Sequence, residues 1–374
     1  MLQIKGVCSS ADIMLDEVDE SVISQIYTLV NSSAFENEKI RIMPDCHAGK
    51  GSVVGFTSTF TDKVIPNVIG VDIGCGIYSW NLGRIKLDLK EIDNYIRENI
   101  PHGFAIREKQ VSLYNTELKR KLIDVSNKIE IDAERVFKSI GSLGGGNHFI
   151  EIGIDPDDNI WLSIHSGSRN FGLQVANFYQ KKAKEYCSAN NLKVQTHLEY
   201  LKTSEGGNEY LDAMLVAQEF ANANRIAMYR EILKGINIEL LHTFENIYSV
   251  HNYIDLKTNI IRKGAISAQD GERMVIPFNM RDGIAVCTGL GNSEWNNSAP
   301  HGAGRIYSRA KAKKEISLSD FKESMTGIYS TCISNGTLDE SPMAYKDKDL
   351  ILEAIKPTAK VNFLIKPIYN FKAN

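Results

Sequence analysis

The stretch Gly70-Val71-Asp72-Ile73-Gly74-Cys75-Gly76-Ile77 constrains this chain more than any other. It sets a carboxylate and a thiol three residues apart in an apolar run broken by three glycines. Both side chains ligate metals once deprotonated, and glycine permits the tight turns that aim them at one point. The bland alternative is a glycine-rich turn after a buried strand, with Cys75 as a small core residue. Histidines elsewhere bear on the choice. Of the eight in the chain, His47, His148, His165, His251 and His301 each stand beside, or one residue from, Gly, Ser, Asn or Ala. Mixed N, O and S donors fit Mn²⁺, Zn²⁺, Co²⁺ or Fe²⁺ better than Mg²⁺ or Ca²⁺, and one thiolate can bridge two ions. A structural zinc site more often uses closely spaced ligand pairs. Here the candidates run from position 72 to 301, so the whole fold has to assemble them, which favours catalysis.

That dispersal also bears on domain organisation. Glycine-flanked polar motifs come from every third of the chain, with no repeat, linker or low-complexity tract between them. We expect one composite site in a single large α+β domain over residues 1–374, with mixed sheets and peripheral helices. A short strand and an amphipathic helix with Val22, Ile23, Ile26 and Leu29 on one face come first. Strands follow near 40 and over 53–59, and helices over 88–100 and 112–139. A strand over 160–164 precedes a helical block over 173–235, read as scaffold, with a stripe of Leu211, Leu215, Val216, Phe220, Ala223 and Ala227. Residues 262–278 read as a hairpin turning at Gln269-Asp270-Gly271-Glu272, residues 309–314 as a basic helix, and 361–372 as a closing strand.

Composition narrows the class. No apolar run approaches the roughly 20 residues of a membrane span, and the first residues lack the apolar core of a secretory signal. Cysteines 8, 46, 75, 187, 287 and 332 form no Cys-x-x-Cys pair, so neither a disulfide framework nor a zinc ribbon is indicated. A cytoplasmic protein is expected. With 43 basic against 46 acidic residues the net charge is −3, so the whole molecule is not a basic nucleic-acid binder. A local basic patch and a metal can still engage RNA phosphates.

Two further segments carry chemistry. Asn147-His148 follows three glycines whose backbone N–H groups can cradle phosphate oxygens, but the run lacks the Lys-Ser/Thr of a P-loop. His301 opens His301-Gly302-Ala303-Gly304-Arg305, where small residues admit a bulky group and an arginine can fork onto phosphate. A neutral imidazole in that setting can be a nucleophile toward phosphorus.

Taken in order, Pro44-Asp45-Cys46-His47-Ala48-Gly49-Lys50-Gly51, the 70–76 stretch, residues 141–151, His165-Ser166-Gly167-Ser168-Arg169, His251-Asn252 and His301-Gly302-Ala303-Gly304-Arg305 closely resemble the RtcB family of RNA-splicing ligases. The resemblance implies an RtcB-like fold and a GTP- and Mn²⁺-dependent ligase that joins an RNA 3′-phosphate or 2′,3′-cyclic phosphate to a 5′-hydroxyl. It implies that His301 is guanylylated, and that Cys75 bridges two Mn²⁺ ions, one also held by Asp72 and His148, the other by His165 and His251. It implies nucleotide contacts from Asn147, His148, Phe149, Ile150, Glu151, Asn252, Gly302, Ala303, Gly304 and Lys372. Asp45 and Arg169 would lie near the RNA ends, Asp45 taking the proton of the 5′-hydroxyl. The implied partner is RNA, tRNA included, with an activating protein as a further partner; a monomer or weak dimer is expected, and no membrane.

Departures from the family pattern are Cys46, where an aliphatic residue is usual, Lys50, often aromatic, and Ile276-Pro277-Phe278-Asn279-Met280-Arg281-Asp282-Gly283 in place of a Pro-Gly-Ser-Met-Gly type of segment. Phe278 and Arg281 are much larger than glycine, so that part of the pocket does not carry over. They imply a divergent branch, for which RNA repair rather than routine tRNA splicing is the hypothesis; joining of splicing-derived halves but not of a nicked tRNA would sink it. A metal-dependent phosphoester hydrolase without a covalent intermediate, and an RNA-binding or sensor protein with structural metals, are the competing classes.

Overall fold

β-Branched and aromatic runs, a few alternating in exposure and most buried along nearly their whole length, place most strands of this chain in two sheets. A computed structural model describes residues 1–112, 115–238 and 245–373. The six-stranded sheet runs, in spatial order, Leu2–Lys5, Ser10–Ile13, Lys39–His47, Val54–Thr59, Ile260–Lys263, Asn252–Asp255. The seven-stranded sheet runs Asn246–Val250, Gly76–Gly83, Ile160–Ser166, Phe149–Ile154, Ala359–Lys372, Ile284–Gly289, Arg273–Pro277, every neighbour antiparallel. In the first sheet Ser10–Ile13 and Lys39–His47 are parallel, and the connection that parallel pairing requires is the helix Glu20–Val30. That helix buries Val22, Ile26, Leu29 and Val30, at i, i+4, i+7 and i+8; Ile23, expected on the same face, turns outward.

Helices Leu89–Asn99, Thr116–Lys128 and Ala133–Ser139 occupy the expected segments, with positions 113 and 114 outside the described residues. The 173–235 block resolves into Arg169–Ala189 and Gly207–Gly235. The latter buries Leu211, Val216 and Phe220 of the expected stripe, while Leu215 is exposed. It is more than scaffold: Asn224 and Arg225 on it are wholly buried and face the loops of the site.

One core lies between the six-stranded sheet and the helices, with Phe35, Phe56, Phe171, Tyr179, Tyr210 and Phe220. Another backs the seven-stranded sheet, with Trp80, Ile164, Tyr229, Tyr369 and Phe371. Each such side chain contributes about 1.5–3 kcal/mol by leaving water. The expected hairpin over 262–278 is corrected. Gly264, at φ +62, breaks the run; Ile260–Lys263 pairs with Val54–Thr59 and Asn252–Asp255, and Ala265–Ser267 pairs with Ser298–Pro300. The turn at 269–272 does form, with Glu272 N–H donating to Gln269 O at 3.0 Å, but it links strands of different sheets. Alternation alone marks strands; it does not say which pair. Among the described residues no helix is long and apolar enough to cross a membrane.

Candidate functional site

Antiparallel register gathers the dispersed residues. In the seven-stranded sheet Val250 pairs with Gly76, Gly76 with Ser166, Phe149 with His165, and Phe149 with Lys372. His251, Cys75, His165, His148 and Lys372 therefore stand at the same end of five adjacent strands. The loop carrying Asp72 is pinned there: Gly74 N–H donates to Asn252 O at 2.8 Å, and Asn252 Nδ2 donates to Asp72 O at 3.0 Å. Gly167 packs so closely on the Asp72 carboxylate that a Cβ would overlap it. From behind, Arg225 donates to the carbonyls of Gly74 (3.1 Å), Gly76 (3.4 Å) and Ser166. Asn224 Oδ1 accepts from the N–H groups of Gly141 (2.7 Å) and Ser142 (3.0 Å).

The donor atoms converge. Cys75 Sγ lies 3.5 Å from His148 Nε2 and 3.3 Å from His165 Nε2, and these three donors lie within 4.8 Å of one another. His165 Nε2 is 3.4 Å from His251 Nε2, and His148 Nε2 is 3.0 Å from Asp72 Oδ2. His148 Nδ1 lies 2.9 Å from Leu143 O, an acceptor only, so Nδ1 carries the proton and Nε2 offers its lone pair. Lone pairs facing a carboxylate and a thiol at such distances need a proton or a cation between them; the set fits a metal site. Burial, reinforced by the neighbouring imidazoles, holds His165 and His251 far below the usual histidine range, so both are neutral ligands in waiting. Burial and the Asp72 charge push the Cys75 thiol far up, a bias that a bound cation reverses. Burial also raises Asp72, but the hydrogen bond and charge of His148 outweigh it and hold the carboxyl below its ordinary value.

His301 completes the row: its ring centroid is 4.7 Å from that of His251. Asp45, wholly buried, accepts at Oδ2 from the His301 backbone N–H (3.1 Å) and from Nδ1 (2.6 Å), while Oδ1 has no partner. Nδ1 thus holds the proton, leaving Nε2 the lone pair of a ring that lines a cavity of about 650 Å³. Gly304, at φ +72, lies against the Asp45 carbonyl with no room for a Cβ. Cys75, His165, His251, Phe149 and Glu151 share the cavity. Glu151 is buried, accepts from Asn370 Nδ2 at 2.8 Å, and leaves Oε1 without a partner; Asn370 Oδ1 is likewise unpartnered. Burial raises Glu151 to about 8 against the pull of Asn370 and Lys372. Lys372 Nζ sits 5.4 Å over the Phe149 ring, 3.3 Å from Asn147 O and 2.8 Å from Glu340 Oε2.

Several expectations shift in detail. Ile150 does not face the cavity: on the Phe149–Ile154 strand residues 149 and 151 do, and Ile150 points into the core beside Ile152 and Ile164, as the two-residue period requires. The amide of Asn252 is engaged with Asp72 O and Gly264 N–H. Asp45, expected at the RNA ends, is sealed beneath His301. Arg169 stands off the cavity wall, donating to Gly103 O (3.0 Å) and Ser142 Oγ (3.3 Å). In the divergent 276–283 segment Phe278, Asn279 and Met280 line the cavity, while Arg281 turns away to pair with Asp282 at 2.9 Å. Gly302, Ala303, Gly304 and Asn147 line the cavity, and His47 joins them, its ring held by Asp45 O at 3.1 Å.

Sequence reasoning missed Glu340. It accepts from Lys372, from Arg309 (2.6 Å), from Tyr345 Oη (2.7 Å) and from Arg305 (3.4 Å). Burial opposes its ionisation, yet Lys372 and Arg309 hold it down at about 2. No glycine or histidine beside it marked the position. Lys263 was missed too: it is buried, donates to the carbonyls of Lys50 and Ser52 (3.0 Å), and is lowered to about 7 by that burial.

A family model described as "tRNA-splicing ligase RtcB" matches residues 27–129 and 121–373. The "RNA-splicing ligase RtcB" of Escherichia coli K12 is 31% identical, covering 91% of this chain and 92% of that protein. The "tRNA-splicing ligase RtcB" of Methanococcus maripaludis is 26% identical, over 92% of this chain and 90% of that one.

Proposed function

The chain belongs to the RtcB family, and on that premise we propose that it is an RNA ligase joining 3′-phosphate or 2′,3′-cyclic phosphate ends to 5′-hydroxyl ends, with GTP consumed and His301 carrying GMP. The observation that carries this is the His301–Asp45 pair: an imidazole fixed at Nδ1 by a sealed carboxylate, in the same cavity as Cys75, His165 and His251. Asp72, Cys75, His148, His165 and His251 would hold two Mn²⁺ ions, which when bound neutralise phosphate charge and favour departure of the leaving group.

The chain's own groups supply the rest. His301 Nε2 attacks the α-phosphorus of GTP; an N–P bond forms as the P–O bond to pyrophosphate breaks. Asp45 accepts the Nδ1 proton in a hydrogen bond and stabilises the positive charge that develops on the ring. A 2′,3′-cyclic end first takes up water, its P–O2′ bond breaking to leave a 2′-hydroxyl and a 3′-phosphate; an oxygen of the RNA 3′-phosphate then attacks that phosphorus, and the N–P electron pair returns to Nε2. Finally the 5′-hydroxyl oxygen attacks the activated 3′-phosphorus, GMP leaves, and the hydroxyl proton passes to water. Guanine suits the pocket: the unpartnered acceptors Glu151 Oε1 and Asn370 Oδ1 match the N1–H and N2–H donors that adenine lacks. Phe149 offers a flat apolar face beside them.

Incubation with Mn²⁺ and α-labelled GTP should label the protein covalently, ATP should not, and His301→Ala should remain unlabelled. RNA joining that survives His301→Ala would overturn the proposal. Hydrolysis of RNA phosphoesters by that variant, needing only the Cys75–His148–His165 donors, would favour the hydrolase instead.

A further inference from the structure

We propose that Phe104 is a stacking platform for a nucleobase of the RNA end that approaches the metal donors. The inference rests on the ligase function above. Phe104 is fully exposed, at 104%, and so contributes nothing to either core. Single exposed apolar residues are ordinary on protein surfaces. Placement sets this one apart.

Its loop is held from several sides. Gly103 N–H donates to Gly144 O at 2.9 Å, Arg169 Nη2 donates to Gly103 O at 3.0 Å, and Ala105 N–H donates to His102 O at 3.1 Å. The His102 ring meets Phe371 edge-on at 5.3 Å, and Arg107 N–H donates to Lys138 O at 2.9 Å. These bonds fix where the backbone presents the phenyl ring, so a flat partner meets it at a set place. The partner's route follows from the three-glycine segment that leads into Asn147 and His148. A Cβ on Gly145 would lie 3.8 Å from Gly103 Cα, and one on Gly146 would lie 3.5 Å from Arg309 Nη2. The glycine loop, with Gly144 buried, Gly145 half-buried and Gly146 exposed, is thus bordered on one side by Phe104's loop and on the other by the helix Arg309–Glu315, whose Lys311 and Lys314 are exposed and whose Lys313, also exposed, pairs with Asp339 at 3.4 Å. Phosphates along the basic helix and a base against the phenyl ring form the pairing by which single-stranded RNA is held. Such stacking is sequence-tolerant, as an end-joining enzyme requires.

The test uses the full chain with Mn²⁺, GTP and an RNA carrying 2-aminopurine near its 3′-phosphate. Phe104→Ala should raise the KM for RNA by about 5- to 150-fold. Labelling of His301 with GMP and the melting temperature should not move, and Phe104→Trp should restore RNA affinity. The 2-aminopurine fluorescence should be quenched by the wild type and the Trp variant but not by the Ala variant. RNA KM and quenching unchanged in Phe104→Ala would overturn the proposal, as would loss of affinity for a protein partner with RNA KM intact. Failure of the wild type to take up GMP would count against the ligase function itself, a separate result.

Discussion

Replacing Asp45 with asparagine separates two roles that one carboxylate cannot hold at once. Asp45 Oδ2 accepts two hydrogen bonds from His301, at 3.1 Å and 2.6 Å, and is sealed from the cavity. If the amide oxygen keeps the place of Oδ2, both bonds survive but lose their charge assistance, about 1.5–3 kcal/mol. Realised as the ring turns positive, that is a fall of about 10- to 150-fold in guanylylation rate. If instead the amide rotates to donate its NH₂ to Nδ1, the ring proton moves to Nε2 and the nucleophilic lone pair is lost. The fall then approaches the ~10⁴-fold seen where the buried aspartate behind another enzyme's catalytic histidine becomes asparagine. The assay is the single-turnover rate of GMP transfer to His301, beside the rate of joining a pre-activated RNA 3′-end to a 5′-hydroxyl. With Asp45 as positioning residue the first rate collapses and the second persists. Were Asp45 instead the base for the 5′-hydroxyl, the order would reverse. Guanylylation within about threefold of wild type, under 1 kcal/mol, would refute the positioning role.

Three further outcomes follow from the same geometry. Cys75→Ser removes the one donor that touches both His148 and His165, so bound metal measured by elemental analysis should fall, and stripping metal present at a hundredfold over its Kd should cost the wild type about 2.7 kcal/mol of stability; unchanged metal content would refute the donor set. Glu340→Gln leaves the buried Lys372 and the half-buried Arg305 without their carboxylate, while the exposed Arg309 keeps Asp339 at 2.6 Å; the loss is about 3–5 kcal/mol, read by denaturant midpoint. Because Glu340 is held at about 2 when folded, its contribution is present above the ordinary carboxylate value and lost as pH falls through 2; a variant with the wild-type acid profile would contradict this. Glu151, raised to about 8 by burial, contributes the opposite way: its stabilisation is present below its ordinary value and lost as pH rises through 8. Guanine binding that draws on the carboxylate should therefore strengthen toward pH 8, and Glu151→Gln should flatten that profile and narrow the preference for GTP over ATP; an unaltered preference would exclude the contact.

Residues that announce their chemistry locally were legible. Asp72, Cys75, His148, His165 and His301 sit in glycine-flanked breaks of apolar runs and His251 beside Asn252, and such breaks fall at strand ends, where sites are built. The mixed α+β architecture was legible for the same reason, from runs whose period changes. Glu340 and Arg225 were not, because each acts through groups far away in the chain: Lys372 for the first, the carbonyls of Gly74, Gly76 and Ser166 for the second. No local pattern encodes a buried charge whose partners arrive by folding. The expectation for Ile150 treats a run of neighbours as one contact surface, whereas a strand sends alternate side chains to opposite faces and that of Ile150 enters the core. The misplaced hairpin has a kindred origin, since a turn fixes a reversal of direction but not which strand lies alongside.

The Phe149–Ile154 strand explains why the metal donors and the cavity proposed for the nucleotide form a single unit. His148 opens it, Phe149 and Glu151 face the cavity, and Ile150 and Ile152 face the core. Phe149 pairs on one side with His165 and on the other with Lys372. A slip of one residue would send Ile150 into the cavity and Phe149 and Glu151 into the core, so burial fixes the register firmly. The spacing between the imidazole of residue 165 and the ammonium of residue 372 is then set by ladder hydrogen bonds rather than by loops. A nucleotide seated over Phe149, as proposed, would have its phosphates placed relative to the donors by the sheet itself, with no hinge between the two halves. On the proposed function, adjustment to RNA would fall to what borders this strip: the glycine loop at 144–146, and the elements carrying Phe104 and Arg309 that flank it.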